Sequence, residues 1–337
     1  MKRRIGLLLG VLLSAALLAW TLWGMRPEEM ARILQGLRIE WLLAGAAFYF
    51  IPVLLRTWRW GVLLHGLPPA RFGDRFVALT IGYMGNNLYP ARAGEALRAY
   101  VLQRRSGIRI GASLGTIVVE RVFDGWMVLL LGMTALLAFP LPGLLRPAVI
   151  GGSLLFGGAL VFLVGIAHAT ERLRTVLERM ARRWPGRPGE WLFGFLSRFM
   201  DGLQVLRAPS RALAVAGLTA LIWLAEAGTY GLVLMAFPFR TSFFSLLTMT
   251  AAVNLATALP SAPGYIGTFE APGVAVLRAF GIPGPAAIAY TLVLHLVLWL
   301  PITLVGLALL LREGLRKIPT FPPEQRVAPS TWSEGPR

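Results

Sequence analysis

The chain is interrupted twice, within otherwise apolar segments, by Asn86-Asn-Leu-Tyr-Pro-Ala-Arg-Ala-Gly-Glu95 and by Leu259-Pro-Ser-Ala-Pro-Gly-Tyr-Ile-Gly-Thr-Phe-Glu270. Proline and glycine end helices, so each interruption separates two short apolar helices, over about 76–103 and 243–280. Lipid cannot satisfy the backbone groups that a break exposes, and breaks persist only inside protein or beside a water-filled cavity. Interrupted segments in both halves of a chain are the sequence sign of a transporter's binding site.

The composition around these segments is typical of a membrane protein. Of the 337 residues, 56% are hydrophobic and only 15% are charged, with a mean hydropathy of +0.65. Soluble domains average about 45–50% apolar and about 25% charged residues, which excludes a soluble enzyme. The net charge of +17 would suggest nucleic acid, but the basic residues lie between long apolar runs. No nucleic-acid partner is therefore expected.

The distribution of basic residues predicts how the segments cross the membrane. Full spans are expected at about 5–23, 41–60, 112–139, 148–167, 212–236 and 286–311. If the interrupted segments are re-entrant and enter from opposite faces, 26 of the 33 basic residues lie in the cytoplasm. If both crossed once, the arginine-rich stretch 168–211 would lie outside, against the positive-inside rule. The sequence thus predicts an all-α polytopic membrane protein with about six full transmembrane helices and two re-entrant helical hairpins in inverted arrangement.

Other parts of the chain are assigned from this topology. Residues 1–311 are predicted to form one integral domain of the plasma (inner) membrane, with both termini cytoplasmic. Residues 168–211 would form a cytoplasmic amphipathic helical insert lying on the membrane, and 312–337 a disordered cytoplasmic tail. Arg56 and Arg59, near the inner end of the second span, are expected to snorkel to the cytoplasmic interface.

The hairpin tips are the predicted binding site. Each returning half-helix begins near the membrane midplane with unpaired N–H groups, which attract anions such as phosphate. Arg92 and Arg98 add positive charge, and arginine suits bidentate phosphate contact. In the alternative interpretation, Glu95 and Glu270 are ordinary first-turn acids and the prolines and glycines merely end helices. The substrate-binding candidates are Asn87, Arg92, Gly94, Glu95, Arg98, Pro260, Pro263, Gly264, Gly267, Thr268 and Glu270.

A second group of candidates consists of charged residues at membrane depth. Glu120 and Asp124 lie one turn apart on one helix face, and Arg121 can reach Asp124 at i+3. Charges inside a membrane are functional candidates by default. The alternative is a structural ion pair that ties this span to Arg92 or Arg98.

Side-chain chemistry limits the energy source. The chain has no cysteine, only three widely separated histidines and no Walker A sequence, so we expect no metal, no other cofactor and no ATP hydrolysis. Transport would be passive, ion-coupled or driven by a partner. Glu226 and His295 fall within spans, where either could relay protons. For His295, a hydrogen bond to a neighbouring helix is the alternative.

Three motifs in order give a family resemblance. They are Asn87-Leu-Tyr-Pro-Ala-Arg-Ala-Gly-Glu95 followed by Arg98, then Glu120-Arg121-x-x-Asp124, then Leu259-Pro-Ser-x-Pro-Gly-x-x-Gly-Thr-Phe-Glu270. Over about residues 5–311 the chain resembles the flippase-like family named after the transmembrane region of lysylphosphatidylglycerol synthetase. The resemblance implies a protein of the bacterial or archaeal plasma membrane that moves lipids between leaflets. It does not carry over lysine transfer, because the tail 312–337 is too short for the soluble synthetase domain.

Three functions are compatible with these observations. The first is a lipid flippase or scramblase-like transporter that moves an anionic, phospho- or polyprenyl-phosphate-type lipid through a polar cavity between the hairpins. The second is a lipid-modifying transferase of envelope lipid or glycolipid synthesis, with Glu120 and Asp124 or Glu270 as acid–base groups. The third is a non-catalytic membrane scaffold that uses 168–211. Anionic membrane lipids are the expected partners, with a second copy of the chain or a lipid-synthesis enzyme as the protein partner.

Overall fold

The computed structural model describes residues 2–22, 27–89, 92–138, 145–183, 187–258 and 262–314, and every regular element in these ranges is helical. Two short 3-10 helices, Gln204–Arg207 and Pro263–Tyr265, accompany fourteen α-helices. The α-helices are α1 Lys2–Leu22, α2 Pro27–Gln35, α3 Ile39–Phe48, α4 Phe50–Leu63, α5 Phe72–Leu88, α6 Ala93–Ser106, α7 Ile110–Ala138, α8 Leu145–His168, α9 Thr170–Arg183, α10 Arg187–Asp201, α11 Pro209–Leu234, α12 Phe243–Ala256, α13 Glu270–Ala279 and α14 Gly284–Arg312.

Among the described residues, three helices are long and apolar enough to cross a bilayer. They are Ile39–Leu63, which joins α3 and α4, Pro209–Leu234 and Gly284–Arg312, of 25, 26 and 29 residues. At a rise of about 1.5 Å per residue, each exceeds the roughly 30 Å of a hydrocarbon core. A fourth span results if α8 and α9, which are bent by 74° at their junction, count together. The fold is thus that of a helical membrane protein, and the predicted number of six full spans stays a prediction.

Both interrupted segments fold into pairs of packed helices. In the first pair, α5 and α6 run antiparallel and approach so closely that a Cβ built on Gly94 would lie 1.9 Å from the Gly82 carbonyl oxygen. In the second pair, α12 packs against α13, where a Cβ on Gly273 would lie 2.8 Å from the Met249 side chain. Small residues permit such close helix contact. The prediction of short helices on either side of each break is confirmed.

The two halves of the chain pack reciprocally. The first helix of each pair contacts the long helix that follows the other pair, so that α5 packs on α14 and α12 packs on α7. The long helices that precede the pairs, α4 and α11, pack on each other. Two large apolar clusters form, one around Trp60 and Leu79 and the other around Tyr230 and Tyr290, and side chains from both halves pack in each. This arrangement brings the two breaks into contact.

Within 168–211, the residues that the structure describes are mostly helical. After the bend at α8, α9 runs back along α10, and an ion pair between Arg174 and Asp201 joins the two helices. Helix α10 packs in turn against α7. The predicted disordered tail lies almost wholly outside the described residues, which end at Gly314.

Candidate functional site

The tips of the two helical pairs touch. Arg92, the N-cap residue of α6, donates a hydrogen bond of 2.9 Å to the carbonyl oxygen of Thr257 at the end of α12. Asn87, near the end of α5, donates one of 2.8 Å to Thr303 of α14. A Cβ built on Gly264 would lie 3.5 Å from the Asn87 carbonyl oxygen, so the two breaks are in van der Waals contact.

A cavity of about 170 Å³ lies at this junction. Side chains from both breaks and from α4, α7, α11 and α14 line it, and many of them are polar or aromatic. Its polar and charged lining includes Asn87, Arg92, Glu95, Arg121, Glu226 and His295. Such a chamber at the meeting point of two broken segments is where unsatisfied backbone and charged groups can be tolerated in a membrane protein.

Glu120 is the centre of a buried ion-pair network beside the cavity. Its side chain is fully buried, and Arg98 contacts it through two bonds of 2.9 Å each. Arg121 lies 2.6 Å and Arg59 3.4 Å from the same carboxylate. The Arg98 guanidinium also stacks on Trp60, 3.7 Å from the ring centroid. Arg98 therefore does not line the cavity, and instead of the predicted phosphate contact it makes the structural ion pair given as the alternative.

Asp124 forms the second part of the network. Arg59 contacts its two oxygens at 2.5 and 3.1 Å and donates a further bond of 2.8 Å to Thr219. The Trp223 indole donates to the same carboxylate at 3.2 Å. Arg121 lies 3.6 Å from it, which confirms the i+3 contact predicted within α7. Asp124 thus ties α4, α7 and α11 together.

The expectation that Arg56 and Arg59 snorkel to the interface is wrong. Arg56 pairs with Glu226 at 2.5 Å, and the two arginines are only 6% and 0% exposed. The reason is that α4 turns its arginine-bearing face toward α7 and α11, whose acids neutralise it within the protein. The sequence signal that could have identified this is the presence of two arginines and three acids in three different apolar segments, since isolated charges there are costly unless paired.

Arg92 differs from the other arginines of the junction. Arg121 also contacts Glu95, at 3.6 Å, so Arg56, Arg59, Arg98 and Arg121 are matched by four carboxylates. In the part of the chain that the structure describes, no carboxylate pairs with Arg92, whose one recorded bond goes to a carbonyl oxygen. A guanidinium has five N–H donors. The cavity therefore carries a cation with spare donors.

The second break is held by Glu270. One carboxylate oxygen accepts the Gly267 N–H at 2.7 Å, and the other lies 2.6 Å from His295 Nδ1 on α14. Phe269 stacks on the imidazole, with ring centroids 4.3 Å apart. Glu270 thus joins the loop before its own helix to α14, and His295 makes the hydrogen bond to a neighbouring helix given as the alternative to proton transfer.

The remaining candidates in this break have structural contacts. Thr268 donates to the Tyr265 carbonyl at 3.0 Å, and Gly267 has a positive φ of 82° and lies where a Cβ would be 2.2 Å from the Ser14 carbonyl oxygen. Pro263 begins the short 3-10 helix, which contacts α5. Pro260 lies outside the described residues.

The Glu270–His295 contact predicts energetic coupling. We expect Glu270→Gln and His295→Gln each to destabilise the protein, with the double variant less destabilised than the sum by about 0.5–3 kcal/mol. Thermal unfolding in detergent measures the three values. His168→Gln is the matched control, because among the described residues this exposed histidine bonds within its own helix alone, to the Val164 carbonyl. Additive effects for Glu270 and His295 would contradict the contact.

Comparison with known proteins agrees with this architecture. Residues 7–306 match the family described as the lysylphosphatidylglycerol synthase TM region. The chain is 28% identical to glycosyltransferase AglD of Haloferax volcanii, over 90% of this chain but only 54% of AglD. It is 24% identical to a UPF0104 membrane protein of Pyrococcus horikoshii over 94% of this chain and 98% of that one.

A further relative is a UPF0104 membrane protein of Methanothermobacter thermautotrophicus, 22% identical over 84% of this chain and 88% of that one. These relatives are archaeal, and no solved structure matches the chain. The family match covers nearly the whole helical domain, including both breaks and the ion-pair network between them. The chain therefore belongs to the membrane-protein family of the lysylphosphatidylglycerol synthase transmembrane region.

Proposed function

We propose that this protein moves an anionic lipid between the leaflets of the plasma membrane, with the head group passing through the cavity at the two breaks. The observation that carries the proposal is Arg92, the cavity arginine without a carboxylate partner among the described residues. An unpaired cation at membrane depth is costly, and a phosphate group would both neutralise it and use its spare donors. A phospho- or polyprenyl-phosphate-type lipid is therefore the proposed substrate, and its hydrocarbon chains stay outside the polar cavity.

The transport proposal includes a topology of six full spans, two re-entrant hairpins that enter from opposite faces, and cytoplasmic termini. Two observations support this topology. The two halves pack reciprocally, and equivalent contacts lie at the same helix position in each half. Arg121 and His295, which pair with the first-turn acids Glu95 and Glu270, are each the twelfth residue of their helices. Two halves with equivalent contacts are what an inverted repeat produces, and such repeats place substrates at their interface.

Arg92→Ala is the direct test of the transport proposal. We expect purified protein in liposomes to accelerate leaflet exchange of fluorescent phosphatidylglycerol, measured by chemical quenching from outside. The Arg92→Ala variant should lose about tenfold or more of that rate, because a hydrogen bond to a charged group contributes about 1.5–3 kcal/mol.

Arg104→Ala is the matched control for this test. Arg104 is an exposed arginine of the same helix, so its removal changes the net charge equally without touching the cavity. Exchange no faster than in protein-free liposomes, for phosphatidylglycerol and for a polyprenyl phosphate, would refute the transport proposal. Equal leaflet-exchange rates for the two alanine variants would show that Arg92 plays no part in transport.

Lipid modification is the second candidate function. The Glu270–His295 pair, whose histidine lines the cavity, is the type of carboxylate–imidazole pair that serves general acid–base chemistry. One relative is named a glycosyltransferase, but nearly half of that protein's length lies outside the match. Mass spectrometry of lipids from a deletion strain separates the two functions. A missing lipid species favours modification, whereas an unchanged inventory with altered leaflet distribution favours transport.

A further inference from the structure

A second cavity, of about 440 Å³, adjoins the polar one. It is a groove between the end of α5, the second break and α14, and most of its lining is apolar. The apolar residues are Leu88, Pro263, Gly264, Ile266, Leu292 and Leu296. Leu88, Ile266 and Leu296 are 41%, 47% and 55% exposed, as expected of side chains at the lipid-facing surface of a membrane protein.

The groove and the polar cavity are separated by a shared wall. Asn87, His295 and Trp299 line both of them. This boundary is fixed in place, since Asn87 bonds to Thr303 and His295 is held by Glu270. On one side lies Arg92 with its spare donors, and on the other lies an apolar surface that opens outward.

We propose that this groove holds one hydrocarbon chain of a membrane lipid while the lipid's head group occupies the polar cavity. The head-group end of this inference rests on the proposed function. Among membrane components, only an amphiphile matches two adjoining chambers of opposite polarity with a common boundary. A polar ligand alone would leave the groove unexplained, and a purely apolar ligand would leave Arg92 unpaired.

The groove positions the lipid and adds little affinity. Lipid tails are as apolar as leucine, so a chain that moves from bilayer to groove gains little from the hydrophobic effect. The gain is orientation: a chain aligned between α5 and α14 directs the phosphate over Asn87 and Trp299 toward Arg92. The experiment must therefore report location rather than binding strength.

Photo-crosslinking locates the chain. Phosphatidylglycerol with a diazirine in one acyl chain is reconstituted with the full protein, irradiated and mapped by peptide mass spectrometry. We expect the crosslinks to concentrate on residues 88, 263–266 and 292–296. Leu296→Trp, which fills the groove, should reduce this labelling several-fold.

Leu304→Trp is the matched control for groove labelling. Leu304 lies on the same helix, is also 55% exposed and does not line the groove, so this variant should be labelled like the wild type. Labelling spread evenly over the outer surface of α14, or equal labelling of both tryptophan variants, would overturn the inference. The crosslinking map of the wild-type protein alone distinguishes labelling of the groove from even labelling of α14. The inference is therefore tested even if a variant folds poorly.

Two further arms separate this inference from the transport proposal. A diazirine-labelled diacylglycerol lacks the phosphate, and Arg92→Ala lacks the cation. Groove labelling that is equal for both lipids and unchanged by Arg92→Ala would support the chain site and contradict the head-group site. If leaflet exchange depends on Arg92 but the groove is not labelled, the result would support transport and overturn the chain site.

Discussion

Glu120→Gln is expected to lower the free energy of unfolding by about 3–5 kcal/mol, the range found when one member of a buried ion pair is removed. The Glu120 carboxylate is fully buried and lies within 3.4 Å of Arg59, 2.9 Å of Arg98 and 2.6 Å of Arg121. A neutral amide would leave uncompensated positive charge in a low-dielectric interior. The amide nitrogen would also face guanidinium donors, so the variant loses an acceptor as well as a charge.

Thermal unfolding in detergent, followed by fluorescence-detected size exclusion, measures this loss. Glu40→Gln is the matched control, because Glu40 also pairs with an arginine, Arg38, but in a bridge whose side chains are 63% and 57% exposed. Exposed ion pairs are screened by solvent, and this variant should unfold like the wild type. Similar unfolding temperatures for the two variants would show that Glu120 carries no buried compensating charge.

A second substitution distinguishes lost charge compensation from general damage to packing. On the Glu120→Gln background, Arg98→Met removes the cation that made two bonds to the missing carboxylate. Methionine can keep apolar contact with the Trp60 ring, on which the guanidinium stacked. We expect the double variant to recover part of the stability lost by Glu120→Gln. A further loss instead of recovery would contradict the electrostatic explanation.

The network also shows which contacts the sequence can and cannot predict. Arg121 and Asp124 are three residues apart on one helix, so helical geometry alone predicts their contact. Arg59 and Asp124 are 65 residues apart, and Arg56 and Glu226 are 170 apart. Those pairs exist only because α4 packs between α7 and α11, and pattern analysis of single segments contains no information about that packing.

The breaks illustrate the same distinction. Proline and glycine, with a glutamate after each break, predict the short helices and single out Arg92, Glu95 and Glu270 as candidates. The different roles of Arg92 and Arg98 cannot be predicted from the sequence, although one is the N-cap residue of α6 and the other lies in its second turn. They differ because α7 presents Glu120 to Arg98, whereas Arg92 faces the second break and donates to a carbonyl oxygen there. Partner identity, rather than residue type, decides which arginine remains available to a ligand.

Gly94→Ala is expected to be among the most damaging single substitutions in the chain. A Cβ at Gly94 would lie 1.9 Å from the Gly82 carbonyl oxygen and 2.4 Å from the Asn86 nitrogen. Both atoms belong to the backbone of α5, so no side-chain rotation can relieve the overlap and the two helices must separate. Overpacked sites usually lose about 1–3 kcal/mol, and contact with backbone places this one at or above the upper end.

Function should fall with stability in this variant, because Arg92 and Glu95 flank Gly94 and would move with α6. Unfolding temperature and phosphatidylglycerol exchange are the two measurements. Gly217→Ala is the matched control, since this glycine of α11 has no atom within 4 Å of a built Cβ. There alanine only improves helix propensity, by up to about 1 kcal/mol. If both variants kept wild-type stability and exchange, the close contact between α5 and α6 could not be what holds Arg92 at the junction.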